Sequence, residues 1–270
     1  MAPAWQLLVL LLAALSSEIN AQSEGGMTQQ PETWTGRWLP ERPHETPVTT
    51  VVPELQDHKH GVKMGVKSVR CDNAKINLTV DWDYNPINYT CFYPTHRIRP
   101  DLSVRPLLEC ENIPKKYSAA HICMRTRIHY QSKIPTFGPH RPLWAKYGEF
   151  TFVPVQRWLH NLEHGAVVML YHPCANQLEV ARLRTLVTGC IRKHVITPYT
   201  LLDVERPLAL VAWGCRLTMN VVDDDTVEEF IKKYALKGPE KIDVDGQYRE
   251  GLVMPAANAS KMAFTELCPH

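Results

Sequence analysis

Regular patterns of apolar and polar positions are confined to the second half of the chain. The unbroken apolar run AVVMLY predicts a strand that is buried on both faces. Apolar residues then recur near helical spacing behind Asn176, a candidate N-cap. A second amphipathic stretch follows Asp223, another candidate N-cap, and is ended by Gly238 and Pro239. The predicted order is strand 166–171, helix 175–193, strand 194–199, strand 207–219 and helix 227–236.

The first half of the folded region is less regular. Alternating apolar residues in KINLTVDWDY predict a half-buried strand over residues 75–84. Prolines divide the rest into short pieces, which indicates loops stapled by disulfides. We therefore predict an α/β or α+β fold, a single domain with a mixed sheet. Its C-terminal half should hold the strand–helix–strand–strand–helix unit, and its N-terminal half should be loop-rich.

The N-terminal region predicts export from the cytosol. Residues 1–21 have the short apolar core and small residues of a signal peptide. Residues 22–66 are polar and rich in proline, which favours a flexible extension before a globular domain over residues 67–268. Within that extension, DHKHG at residues 57–61 is interpreted as solvated linker, with a loose metal site as the less favoured alternative. No later segment is long and apolar enough to predict a membrane span.

The cysteines and glycosylation sequons agree with a secreted or lumenal protein. Sequons occur at Asn77, Asn88 and Asn258. An even number of cysteines in an oxidising compartment predicts disulfides, whose connectivity the spacing leaves open. The absence of Cys-x-x-Cys argues against a thioredoxin-type redox site, and a net charge of +2 gives no field for nucleic acid. The disulfide candidates are Cys71, Cys91, Cys110, Cys123, Cys174, Cys190, Cys215 and Cys268.

Candidate chemistry is concentrated in HNLEHG, just before the apolar run. On a helix His160, Glu163 and His164 share one face, which matches the inverted zinc-protease pattern His-x-x-Glu-His. Zinc usually takes a third protein ligand, for which His140 is the preferred candidate. In this hypothesis Glu163 is a general base or a ligand. The other candidates for the third position are His121, His129 and His172.

A structural role for these residues is the favoured alternative. Buried histidines commonly bond to backbone carbonyls, and Glu163 has Arg141 and Arg157 available as ion-pair partners. On this interpretation the cluster only packs. A bound metal such as zinc ranks second, and hydrolysis ranks third.

Three blocks also resemble known sequences: IPTFGPHRPLWAKYG, HNLEHGAVVMLY and LVAWGCRL, together spanning about residues 134–241. They are similar to an uncharacterised domain of bacteria and eukaryotes, and most closely to the metazoan p53-inducible protein 13 family. The resemblance implies a shared fold and a membrane-associated, growth-suppressing role, but no reaction. Phe137 departs from the family pattern, which has Ser or Gly there. The chain also lacks the family's C-terminal transmembrane helix.

Two functional hypotheses follow. The first is a secreted or lumenal glycoprotein that acts by binding an unknown protein partner or ligand, related to growth suppression by resemblance. The second is a metal-binding module or metal-dependent hydrolase that uses the histidine–glutamate cluster. The sequence favours a non-enzymatic role over an enzymatic one.

Overall fold

The computed structural model describes residues 53–257 and 267–269. The predicted signal peptide, most of the predicted extension and the sequon at Asn258 lie outside these residues. The strands of the described region are β1 (Gln56–Asp57), β2 (Gly61–Val62), β3 (Leu107–Cys110), β4 (Gly148–Phe150), β5 (Val167–Tyr171), β6 (His194–Pro198), β7 (Leu208–Ala212), β8 (Cys215–Met219) and β9 (Leu252–Pro255).

The core is a mixed seven-stranded sheet in the order β3-β8-β7-β5-β6-β4-β9. Strands β5, β6 and β4 run parallel, and every other pairing in this sheet is antiparallel. Strands β1 and β2 form a separate antiparallel pair. The predicted fold class is confirmed: a single α/β domain with a mixed sheet.

Within the described residues, three helices cover the two faces of the sheet. Helix α1 (Val155–Glu163) packs on one face, where alternate residues of β5 such as Val168 meet it. Helices α2 (Gln177–Cys190) and α3 (Asp224–Tyr234) pack on the other face, against residues such as Val167. Burial on both faces explains the unbroken apolar run of β5. No helix within the described ranges is long and apolar enough to cross a membrane.

The predicted C-terminal elements are present, but several boundaries differ and one predicted strand is divided. Helix α3 spans Asp224–Tyr234 and not residues 227–236. The side chains of Asn176 and Asp223 accept backbone N–H groups as the N-caps of α2 and α3. The single strand predicted over residues 207–219 is wrong, because Trp213 and Gly214 turn it into the β7–β8 hairpin. Gly214 has φ 79°, which suits glycine. Helix α2 ends at Cys190, three residues early, because the chain becomes extended there.

The strand predicted over residues 75–84 is also wrong. A short 3₁₀ helix, Leu78–Val80, occupies this segment. The side chain of Asn73 accepts the amides of Lys75 and Ile76, and the amide of Val80 bonds to a carbonyl three residues earlier. These local bonds use donors that a strand would have offered to a neighbour.

The globular domain begins earlier than the predicted residue 67. Leu55 and Val62 are buried in a small cluster with Cys71. The presumed linker DHKHG is a turn between β1 and β2, in which Asp57 accepts the amide of His60. His60 is only 3% exposed, so the interpretation of this stretch as solvated linker is wrong for that residue.

All eight cysteines form disulfides, as predicted, and helix α2 keeps Cys174 and Cys190 from pairing with each other. Two bridges join the loop-rich half to the regular half, and another ties residues 267–269 to the end of α2. The pairs are Cys71–Cys123, Cys91–Cys174, Cys110–Cys215 and Cys190–Cys268.

Two buried ion pairs anchor the loop-rich half, one of them directly to α1. Arg157 on α1 binds both carboxylate oxygens of Asp72 and donates to the carbonyl of Leu143. Arg141 binds both oxygens of Asp81 at 2.5 and 2.7 Å and donates to the carbonyls of residues 122 and 123. These arginines pair with aspartates, so the predicted pairing of either with Glu163 is wrong.

We expect Asp72→Asn to lower the free energy of unfolding by about 3–5 kcal/mol, because it leaves the buried Arg157 charge uncompensated. Chemical denaturation monitored by tryptophan fluorescence measures this loss. Asp203→Asn is the matched control, since Asp203 and its partner Lys133 are mostly exposed and the pair should contribute at most about 1 kcal/mol. Equal effects of the two substitutions would contradict the proposed importance of the buried pair.

Candidate metal centre

Helix α1 and two loops meet at one buried point. The last turn of α1 supplies His160 and Glu163, and His164 is the residue that caps the helix. His121 and His140 lie side by side on two loops joined by a parallel bridge, in which the amide of Ile122 donates to the carbonyl of His140. All five side chains are almost completely buried.

Three of the imidazoles share one hydrogen-bonding pattern. Nδ1 of His121 lies 2.6 Å from the carbonyl oxygen of Val62, Nδ1 of His140 lies 2.9 Å from that of Gly138, and Nδ1 of His160 lies 2.6 Å from that of Arg141. A carbonyl oxygen only accepts, so each Nδ1 carries the proton. Each neutral ring therefore presents the lone pair of Nε2.

These Nε2 atoms converge on Glu163. One ligand atom from each of His121, His140, His160 and Glu163 lies within 4.8 Å of the other three. The three Nε2 atoms and Oε2 of Glu163 have no hydrogen-bond partner in the described structure. Backbone-anchored imidazoles whose free nitrogens face a common point are the usual arrangement around a bound metal.

The contact between His140 and Glu163 shows why this arrangement needs a cation. Nε2 of His140 lies 3.1 Å from Oε2 of Glu163. With the proton on Nδ1, both of these atoms are acceptors and they repel each other. A further proton or a metal ion between them would remove that repulsion, and a metal would satisfy the other two imidazoles as well.

Burial also favours the neutral, metal-binding form of His140, His160 and His164. Burial lowers the pKa of His140, and burial together with neighbouring imidazoles holds the pKa of His160 well below its ordinary value. Burial lowers the pKa of His164 to about 4, although Glu163 acts in the opposite direction. Burial would raise the pKa of Glu163, but contacts with His121 and His140 outweigh it and hold the pKa far below normal. Burial therefore favours neutral rings at His140, His160 and His164, whereas the lowered pKa of Glu163 requires a positive charge beside its carboxylate.

The chain after α3 closes the cluster on another side. The amide of Leu236 bonds to the carbonyl of Gly165, and the amide of Glu240 bonds to that of Glu163. Gly165, which follows the C-cap of this helix, has φ 81°, a conformation that suits glycine. A side chain at Gly238 would place its first carbon 2.2 Å from the Glu163 carbonyl, so only glycine allows this approach. Glu240 is thereby brought next to Glu163.

The structure brings together only part of the predicted ligand set. His140 and His160 lie in the group with Glu163, whereas His164 stands beside it, with Nδ1 3.9 Å from Oε2 of Glu240. His129 is exposed, and the ring of His172 accepts the backbone amide of Cys174. His121, a lesser candidate for the third position, is the third imidazole of the group. His60 and Glu240 were missed, because nothing in their local sequence links them to residue 163.

The residues fit a divalent transition metal. Three imidazole nitrogens and one carboxylate oxygen form a common zinc-type ligand set. Tetrahedral zinc places its ligand atoms roughly 3.4 Å apart, so side-chain movements of about an ångström would close the set. The rings of His160 and His164 also pack on Trp144, with centroids 4.9 and 4.7 Å away. The centre is thus enclosed by protein.

Comparison with known proteins gives two partial matches. A family model described as protein of unknown function (DUF3105) matches residues 121–246. The chain is also 31% identical over 67 residues to the tumor protein p53-inducible protein 13 of Rattus norvegicus, covering 25% of this chain and 17% of that protein. No solved structure matches. The matched family segment begins at His121 and contains all five residues of the cluster and Glu240, but not His60.

We expect His121, His140 and His160 to carry their proton on Nδ1 in chelator-treated protein, because each donates it to a carbonyl. Long-range nitrogen–proton correlation NMR of the histidine rings distinguishes the two tautomers. His194 is an internal reference, since its Nδ1 bonds to the carbonyl of Ile191 at 2.7 Å outside the cluster. Protonation of Nε2 on the three cluster rings would remove the converging lone pairs and contradict the metal hypothesis.

Proposed function

We propose that this protein is a metal-binding protein of the secretory pathway. Its metal ligands are His121, His140, His160 and Glu163. The observation that carries the proposal is the convergence of three unpartnered Nε2 atoms and one carboxylate oxygen, with every Nδ1 engaged by the backbone. Zinc is the ion that this ligand set suits best, and related divalent transition metals are the alternatives.

The closed geometry supports metal retention rather than hydrolysis. Catalytic zinc sites keep one coordination position open for water, whereas structural sites are closed. Here the fourth position is taken by Glu163, which is 1% exposed. Glu163 is therefore a ligand in this proposal and not a general base. The metal would join α1 to the loops that carry His121 and His140, and so stabilise the fold.

The compartment is a proposal of its own. Four disulfides support an oxidising environment, since such bonds are rare in the cytosol. Asn77 is exposed at the start of its 3₁₀ helix, so its side chain is accessible for glycosylation. Asn88 is half-buried and its side chain donates to the carbonyl of Asn85. These features support a secreted or lumenal glycoprotein whose main glycan is at Asn77.

We further propose a role in growth suppression. It rests on the resemblance to the p53-inducible protein, whose name says only that p53 induces it. Metal-loaded wild-type protein should reduce proliferation of cultured cells if this role extends to the chain. The same measurement on His160→Ala, which should bind metal weakly, shows whether the metal site takes part in this effect.

We expect the purified full chain to bind zinc at the cluster, and His160→Ala to weaken binding by more than the 10- to 100-fold that loss of an outer hydrogen-bond partner costs. Elemental analysis and calorimetric titration measure content and affinity. At a free zinc concentration of about 100 times Kd, the metal should add about 2.7 kcal/mol to the free energy of unfolding.

The matched control for this experiment is His194→Ala. His194 is also buried and carbonyl-bonded but belongs to neither group of candidate ligands. It should lose stability without losing zinc. Zinc content that is unchanged in His160→Ala, or reduced equally in both variants, would overturn the proposed site.

We expect glycosidase treatment of the chain secreted from animal cells to shift its mobility, and Asn77→Gln to remove most of that shift. Gel electrophoresis with and without the enzyme measures it. Asn73→Gln is the control, because Asn73 lies nearby without being in a sequon. Protein that stays in the cytosol, with titratable thiols and no glycan, would rule out the proposed compartment.

A further inference from the structure

A second group of ligand atoms lies next to the first and shares Glu163 with it. One ligand atom from each of His60, Glu163 and Glu240 lies within 4.8 Å of the other two. His60 stacks on His121, with ring centroids 4.5 Å apart. The two groups are therefore adjacent, with the Glu163 carboxylate between them.

His60 repeats the pattern of the other imidazoles. Its Nδ1 lies 2.8 Å from the carbonyl oxygen of Ala119, and its Nε2 lies 2.9 Å from Oε1 of Glu240. With the proton on Nδ1, the contact with Glu240 joins two acceptors. A doubly protonated His60 would make it an ordinary ion pair.

The ion pair alone does not account for His164. This ring is 1% exposed, and neither of its nitrogens has a hydrogen-bond partner in the described part of the chain. Its Nδ1 faces Oε2 of Glu240 at 3.9 Å, and that oxygen is unpartnered as well. Leaving such buried polar groups without a partner is unfavourable. A ligand that both groups can contact would remove this cost.

We propose that a second divalent cation binds between His60, Glu163 and Glu240, with His164 as a further ligand. This inference rests on the proposed function, because Glu163 would bridge the two ions. Two-metal centres hold their ions about 3.5–4 Å apart, which one bridging carboxylate can span. Two carboxylates make the second position harder than the first, so it accepts Mn²⁺ as well as Zn²⁺.

Two lysines beside this position are compatible with a cation there. Nζ of Lys59 lies 2.5 Å from Oε1 of Glu240, but the Lys59 side chain is 53% exposed and can turn into solvent. Nζ of Lys193 bonds to the carbonyl of Ile242 and to Asp243, so its charge is already paired. The second cation would thus replace Lys59 as the partner of Glu240.

The test is metal stoichiometry in the full disulfide-bonded chain, stripped with chelator and reloaded with Zn²⁺ or Mn²⁺. We expect two ions per chain in the wild type, and one in both Glu240→Gln and His60→Gln. The Mn²⁺-loaded wild type should show the EPR signal of a spin-coupled pair, and both variants should show an isolated ion. Glu250→Gln, at an exposed acidic position, is the control and should keep two. Circular dichroism checks that each variant is folded.

Each result separates this inference from the function on which it rests. One ion in the wild type, unchanged by Glu240→Gln but lost in His160→Ala, would overturn the second position and leave the first intact. Loss of all metal in folded Glu240→Gln would mean one ion shared by both groups, which also overturns it. A wild type without metal would end both proposals.

Discussion

The structure depends on two buried guanidinium–carboxylate pairs. Arg141 and Arg157 each bind an aspartate from the irregular first half of the chain and also donate to backbone carbonyls. The loops they hold have few ladder hydrogen bonds of their own, so their position depends on these side chains and on the disulfides. Because a buried arginine without its carboxylate is costly, the loops and α1 hold each other in one arrangement.

That arrangement also orients the imidazoles. The carbonyls that accept from Nδ1 belong to Val62 on β2 and to Gly138 and Arg141 in the loop before β4. Arg141 takes part twice, since its side chain binds Asp81 while its carbonyl accepts from His160. The backbone therefore selects the tautomer and the direction of each free lone pair before any metal arrives. Such preorganisation favours binding because little ordering remains to be done.

The regular half of the fold could be predicted from sequence because its signals are local. Helical spacing, N-cap residues and the apolar run of β5 each act within a few residues. The strand predicted over residues 75–84 is wrong because the side chain of Asn73 accepts backbone amides of this segment. The alternation of apolar and polar residues gives no sign of these local hydrogen bonds. Local spacing linked His160 and Glu163 on one helix, and the preferred third candidate, His140, and the lesser candidate His121 also lie in the group. His60 and Glu240 reach it through pairings between distant segments and a close approach at Gly238, which local spacing does not encode.

The carboxylate of Glu163 is the part of the cluster that packing alone explains least. Arg141 and Arg157 both form ion pairs with aspartates and therefore do not pair with Glu163. Its neighbours are imidazoles, and burial favours the neutral form of His140 and His160. Placing an ionised carboxylate among neutral rings is unfavourable unless a positive charge joins them. Protons on His121 and His140 would supply that charge, but they would leave His160 and His164 unsatisfied. Metal ions would supply it to all of these residues at once, which is why the geometry favours a metal centre over a structural hydrogen-bond network.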